Sequence, residues 1–267
     1  MELLPQLNFR RRIAGLAWAR RLVVLVAVMV GLTALFVWRR DWAVFPTVVL
    51  GVILFGSLRG WEMSLRRQFI REAEFPRFLA PKLRESYPQL TLRDAELVLR
   101  GLRQFFMAHL RSGRKFVAMP SKLVDAAWHE YILHTQGYQR WCQAAFGKLL
   151  HHTPAEVLGK DARRNDGLRR SWYWACKEES IDPRTPTRLP LLFALDAKFD
   201  LPGGFNYVPD CRAVQRHDGG TTQCGSSFGD SGGGSGDAGS FGGSESSSGG
   251  GGDCGSGCGG GCGGGGD

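Results

Sequence analysis

The residues best suited to chemistry lie between Asp125 and His152. Asp125 and His129 are spaced i, i+4, so a helix places them on the same face. The carboxylate could then hold one nitrogen of the imidazole and leave the other free for a metal ion or a proton. Cys142, His151 and His152 follow, and breaks in the helix would let them reach the same pocket. Together these five side chains have the donor chemistry of a zinc site.

The same residues are compatible with packing and with catalysis. Asp125 and His129 could form an ordinary buried hydrogen-bonded pair, with Cys142 as a small apolar core residue. A Cys/His pair could instead serve a metal- or thiol-dependent enzyme. The spacing matches no zinc finger, and Leu133 stands where an HExxH motif beginning at His129 needs its second histidine. We expect a non-enzymatic binding module and keep the enzyme as the alternative.

The elements that must position these residues are predicted to be helices. Thr91, followed by Asp94, resembles a capping box, and Ser121 is a suitable N-cap for the helix that carries Asp125. Gly137 is expected to interrupt that helix. No strand periodicity is convincing, so the body should be all-α. Five large side chains of the stretch are expected in the core: Trp128, Ile132, Tyr138, Trp141 and Phe146.

Two apolar segments precede this body and predict a transmembrane hairpin. Residues 22–38 and 42–58 contain no charged side chain and are just long enough to cross a bilayer as helices. Arg39-Arg40-Asp41 forms the break between them. The alternatives are a buried hairpin in a soluble core and a cleaved signal peptide, although no small-residue cleavage site follows the first segment. Tryptophans mark the segment edges, as in interfacial aromatic belts: Trp18, Trp38, Trp42 and Trp61.

Arginines flank the hairpin and account for much of the net charge of +9. They lie on both outer flanks, whereas the loop holds only Arg39 and Arg40. The positive-inside rule therefore predicts an integral membrane protein with both termini in the cytoplasm. Anionic lipid headgroups are the natural counter-charge, so membrane lipid is an expected partner and nucleic acid is not.

The predicted organisation has four parts. Residues 1–59 form the hairpin, 60–90 an amphipathic juxtamembrane helix and a proline-rich linker, and 91–211 the all-helical cytosolic domain. Residues 212–267 form a disordered Gly/Ser/Cys-rich tail, since they hold too little apolar area to order the chain. A protein partner could bind the helical module or this tail. The scattered, odd number of cysteines fits a reduced compartment.

One motif set resembles a known family. Its elements are Asp125-x2-Trp128-His129, Ile132-Leu133-x-Thr135, Tyr138-x3-Cys142, Phe146-Gly147 and His151-His152-x-Pro154. These resemble the glycine-rich domain-containing proteins of plants, fungi and bacteria, and the glycine-rich tail agrees. Plant members often have a second histidine where this chain has Tyr131. The resemblance implies a bacterial-type member, a binding module rather than a defined activity.

Overall fold

The computed structural model describes residues 3–37, 44–152, 162–209 and 222–229. Within these ranges the chain is mostly helical, which confirms the expected all-α class. A short pair of parallel strands and one 3-10 helix complete the described part. The elements are α1 (Leu3–Val37), α2 (Val44–Glu72), α3 (Leu79–Ser86), α4 (Leu92–Arg111), α5 (Lys122–Leu133), α6 (Thr135–Phe146), α7 (Ala162–Glu178), α8 (Leu191–Lys198), β1 (Asn206–Val208), β2 (Thr222–Cys224) and the 3-10 helix Ser226–Gly229.

The first two helices are longer than the apolar segments that predicted them. The segments covered 22–38 and 42–58, whereas α1 begins at Leu3 and α2 runs on to Glu72. Each contains a stretch long and apolar enough to cross a membrane, Arg11–Gly31 in α1 and Val48–Glu72 in α2. The break at residues 39–41 lies outside the described residues.

The predicted proline-rich linker contains a helix. Pro81 lies inside α3, where a proline was expected to interrupt regular structure. It stands in the first turn, and the backbone N–H groups of that turn have no intrahelical acceptor in any case. The missing donor is therefore tolerated, and Leu79 and Leu83 are buried against the core.

Helix α4 is central to the helical module and lies against α2, α3, α5, α7 and α8. The predicted capping box is confirmed: the Asp94 N–H donates to the Thr91 hydroxyl at 3.2 Å, and the Thr91 N–H donates to the Asp94 carboxylate at 3.0 Å. A Cβ at Gly101 would lie 2.5 Å from the Leu195 side chain. Glycine at this position thus allows α8 to pack closely against α4.

The start of α5 is fixed by a buried carboxylate from α8. Asp196 is only 2% exposed. It accepts hydrogen bonds from the Ser121 hydroxyl at 2.6 Å and from the Lys122 and Leu123 N–H groups at 2.8 and 3.2 Å. The Phe205 N–H donates to it at 3.1 Å. Ser121 is the N-cap, as predicted, and the charge of Asp196 also suits the positive end of the helix dipole.

The break between α5 and α6 falls at His134, so the predicted interruption at Gly137 is wrong. His134 ends one helix and precedes the next. Gly137 lies inside α6, and a Cβ there would lie 2.1 Å from the His134 ring. The glycine therefore provides space for that ring. Gly147 ends α6 in the left-handed conformation, with φ +79°, which is typical of a helix C-terminus.

Part of the tail that was expected to be disordered from residue 212, residues 222–229, lies against the helical core. The Phe228 ring lies 5.8 Å from Trp172 and 6.2 Å from Phe193. A Cβ at Gly225 would lie 2.1 Å from the Trp172 ring, so the chain approaches this ring closely. One aromatic residue and one glycine let this polar segment cover the core. Residues 212–221 and 230–267 of the predicted tail lie outside the described residues.

The described cysteines are in two states. Cys142 and Cys176 are buried free thiols. Cys224 is disulfide-bonded. A disulfide is typical of an oxidising compartment, so Cys224 departs from the reduced state that the cysteine pattern predicted.

Replacing Asp196 by alanine is expected to lower the free energy of unfolding by roughly 3–5 kcal/mol, because several buried donors lose their acceptor at once. Asp94→Ala removes the carboxylate from an exposed capping box and should lower it much less. Guanidinium unfolding of the full chain in detergent, followed by tryptophan fluorescence, measures both. Equal losses in the two variants would contradict the structural role of Asp196.

Candidate metal centre

Three of the five predicted ligands lie together where α5 meets the loop after α6. The Oδ1 atom of Asp125 is 2.9 Å from Nε2 of His152, and its Oδ2 atom is 3.5 Å from Nδ1 of His129. The two imidazole rings are 4.3 Å apart. Each residue offers one ligand atom, and these atoms lie within 4.8 Å of one another. The carboxylate is therefore shared by two histidines from different elements.

The two carboxylate–imidazole distances, one from each oxygen of Asp125, are close to the distances between ligands of a zinc ion. Zinc bonds to nitrogen and oxygen are about 2.0–2.1 Å long, so two ligands of a tetrahedral site lie about 3.3 Å apart. The separations of Asp125 from His152 and from His129 fall on either side of that value. His129 is 52% exposed at its side chain, so its ring can rotate toward an ion. Three protein ligands leave one tetrahedral position for water or a bound group.

His152 is held in place through the hydroxyl of Tyr138. The Trp128 Nε1–H donates to this hydroxyl at 3.0 Å, and the hydroxyl donates to the Leu150 carbonyl at 2.6 Å. The Trp128 ring also contacts the His152 ring, with centroids 4.6 Å apart. Trp128 and Tyr138 were predicted as core residues, and the structure confirms their burial. Their polar atoms additionally set the path of the loop that carries His152.

The structure does not bring Cys142, a predicted ligand, together with Asp125, His129 and His152. Cys142 is fully buried in the core, whereas the His129 side chain is 52% exposed. Its sulfur lies within hydrogen-bonding reach of the Tyr138 hydroxyl and the Leu150 backbone. Burial raises the pKa of the Cys142 thiol to about 11. At neutral pH the thiol is therefore protonated, whereas the thiolate is the form that attacks substrates.

His151 is also outside the ligand group. It is exposed, whereas the neighbouring His152 is largely covered. The two histidines are adjacent, so the loop conformation decides which ring points toward Asp125. That conformation depends on the Tyr138 contact with Leu150, a long-range interaction that residue spacing does not reveal.

Comparison with known proteins assigns the chain to a family. The family described as UCP032817-like matches residues 65–228, well over half of the chain, and the chain belongs to it. The resemblance to glycine-rich domain-containing proteins is therefore wrong. The matched region ends before most of the glycine-rich tail, and such a tail is a feature of composition that unrelated chains share. No curated protein and no solved structure matches the chain.

The Cys142 thiol is expected to resist alkylation by iodoacetamide in the folded protein up to about pH 10, because its pKa is raised to about 11 and its sulfur is covered. In guanidinium it should react at pH 8.5. Mass mapping of the peptide containing Cys142, with and without denaturant, separates the two cases. Rapid labelling of the native protein at pH 7 would instead restore the thiol-dependent enzyme as a candidate.

Proposed function

Since the chain belongs to the UCP032817-like family, whose name states no activity, we propose a function from its site. The protein is a membrane-anchored helical module that binds a divalent transition-metal ion, with zinc as the leading candidate, through Asp125, His129 and His152. The observation that carries this proposal is the convergence of one ligand atom from each residue within 4.8 Å. A binding role is the leading interpretation.

The donor set supports a transition metal rather than calcium or magnesium. Two imidazoles with one carboxylate suit zinc, and the same set with open positions suits iron(II). Calcium and magnesium prefer oxygen ligands. The Asp125 side chain is 33% exposed and that of His129 is 52% exposed, so an ion there could be reached from solvent.

The second candidate function is a metal-dependent enzyme at the same site. The observation that favours it is the three-ligand set open to solvent, since catalytic zinc keeps a fourth position for water. The thiol-dependent form of this alternative loses its support because Cys142 is buried and protonated. If the metal-loaded protein exchanges a metal-bound water but converts no substrate, the binding role is favoured over the enzyme.

The exposure of the hairpin supports the membrane anchor. Only 6% of the apolar window in α1 and 11% of that in α2 are buried against the protein. A core hairpin of a soluble protein would be mostly covered. Trp18 and Trp61 are 65% and 61% exposed, as expected of side chains at a bilayer interface. Lipid is the environment that removes this apolar surface from water.

The full chain, purified in detergent, is expected to bind one zinc ion with Asp125, His129 and His152 as ligands. His129→Ala, which alters an exposed side chain, and His152→Gln should each weaken binding about a hundredfold or more, because each removes one of three ligands. His151→Ala is the matched control and should bind like the parent. The parent and all variants in this experiment also carry Cys254→Ser, Cys258→Ser and Cys262→Ser, so that thiols of the tail do not bind zinc.

Zinc titration with a chromogenic competitor measures these affinities, and zinc should raise the melting temperature of the parent and of His151→Ala only. Zinc binding that is unaffected by either ligand substitution, or no binding at all, would overturn the proposed centre.

The chain is expected to stay in the membrane pellet after carbonate washing, because the exposed apolar residues of α1 and α2 are expected to lie in the bilayer. In sealed cells, external protease should leave the glycine-rich end intact if both termini are cytoplasmic. The disulfide at Cys224 favours the opposite orientation, with this end outside the cytoplasm, because the cytoplasm keeps thiols reduced. Release by carbonate would contradict the membrane anchor. Digestion of the tail would contradict the predicted orientation but not the anchor.

A further inference from the structure

A cavity lies where the hairpin meets the helical module. It has a volume of about 640 Å³ and is formed by α1, α2, the turn after α4 and the end of α6. We call it the basic cavity, because six of its seven charged lining residues are cations. These seven are Arg11, Arg20, Arg21, Arg66, Arg114, Lys148 and Glu62. Nothing in the proposed metal centre uses any of them.

Glu62 neutralises only part of this charge. Its carboxylate lies 2.7 Å from the Arg20 guanidinium and 2.8 Å from that of Arg66. Arg66 also donates to the carbonyls of Gln143 and Ala144 at 3.2 and 2.7 Å, so it closes the C-terminal end of α6. One buried acid is thus shared by two arginines, and the other four cations face a cavity with no further acidic lining residue.

Arg114, which lines the cavity, has an unusual backbone conformation and a partly unsatisfied side chain. Its backbone has φ +64°, in the left-handed region that non-glycine residues seldom adopt. The Arg114 N–H donates to the His109 carbonyl at 2.9 Å, which fixes this conformation. Its Nε atom is buried and has no hydrogen-bond partner. Burial first, and then the charge of Arg66, lowers the pKa of Arg114. An anion in the cavity would accept a hydrogen bond from Nε and would stabilise the charge of the guanidinium group.

Phosphate is the anion that this lining suits. Arginine forks bind phosphate oxygens through paired, charge-assisted hydrogen bonds, and a phosphate offers several acceptors to converging donors. The volume lies within the range of ordinary small-ligand sites, roughly 300–1,000 Å³.

The cavity also opens at the level where the apolar surface of α1 begins. Arg20 and Arg21 directly precede Leu22, and Leu25 one turn further on is 64% exposed. Trp18 marks the same level. A phosphate held by Arg20 and Arg21 would therefore place attached acyl chains along exposed apolar side chains.

We propose that the basic cavity binds a phosphate group, carried in the membrane by the headgroup of an anionic phospholipid. The phosphate chemistry rests on the cavity alone. The lipid source rests on the proposed insertion of the hairpin, so free inorganic phosphate is tested separately.

The test uses the full chain in two arms. In the first, the protein is reconstituted into nanodiscs of phosphatidylcholine with a small fraction of phosphatidylglycerol, and the lipid retained after detergent exchange is counted by native mass spectrometry. In the second, inorganic phosphate is titrated into the protein in neutral detergent. Arg114→Gln and Arg21→Gln each remove one cavity cation, and Arg21 is exposed, so its loss does not endanger folding. Arg93→Gln removes an exposed arginine of α4 away from the cavity.

Retention of phosphatidylglycerol over phosphatidylcholine, weakened about tenfold by Arg114→Gln and Arg21→Gln but not by Arg93→Gln, supports the proposal with lipid as the source. Binding of inorganic phosphate alone, with the same dependence on the variants, supports the phosphate site and removes the lipid source. Equal weakening in all three variants would show diffuse attraction to basic protein and overturn the site. Absence of binding in both arms would overturn it as well. We expect zinc binding to be unaffected, because no residue of the metal centre lines the cavity. Failure here would therefore leave the metal centre standing.

Discussion

The proposed metal centre depends on one buried interaction, at the hydroxyl of Tyr138. This hydroxyl receives the Trp128 indole N–H and donates to the Leu150 carbonyl, so three chain segments meet at one buried polar atom. Burial raises the pKa of Tyr138, which keeps the hydroxyl protonated and able to donate. The contact fixes the loop after α6, and that loop brings His152 to Asp125. Removing one partner of a buried hydrogen bond leaves the other unsatisfied, so the junction favours a single loop conformation.

Helix α6 connects this centre with the basic cavity. Tyr138, near its start, holds the loop that carries His152, and the carbonyls of Gln143 and Ala144, near its end, bind Arg66. The following residues continue the connection, since Lys148 lines the cavity and Leu150 accepts the Tyr138 hydrogen bond. The two proposed sites thus share one helix. The first offers a carboxylate and imidazoles to a cation, and the second offers guanidinium groups to an anion.

Local signals in the sequence predicted local structure well. The caps at Thr91 and Ser121 were predictable because a helix N-terminus is satisfied by side chains within three residues. The pairing of Asp125 with His129 followed from helix geometry alone. Three features were not predictable, because each depends on residues distant in sequence. Cys142 lies outside the ligand group, His152 and not His151 contacts Asp125, and Asp196 caps the start of α5. Phe228 was missed for a similar reason: a lone aromatic residue in a glycine-rich segment gives no periodic signal.

X-ray absorption at the zinc edge of the zinc-loaded full chain, with Cys254→Ser, Cys258→Ser and Cys262→Ser so that the tail offers no thiol ligand, tests the central claim most directly. The account predicts a shell of nitrogen and oxygen ligands at about 2.0–2.1 Å, including scattering from two imidazole rings, and no sulfur at about 2.3 Å. A sulfur shell would place the metal on cysteines instead, and a spectrum without imidazole scattering would contradict the centre formed by Asp125, His129 and His152.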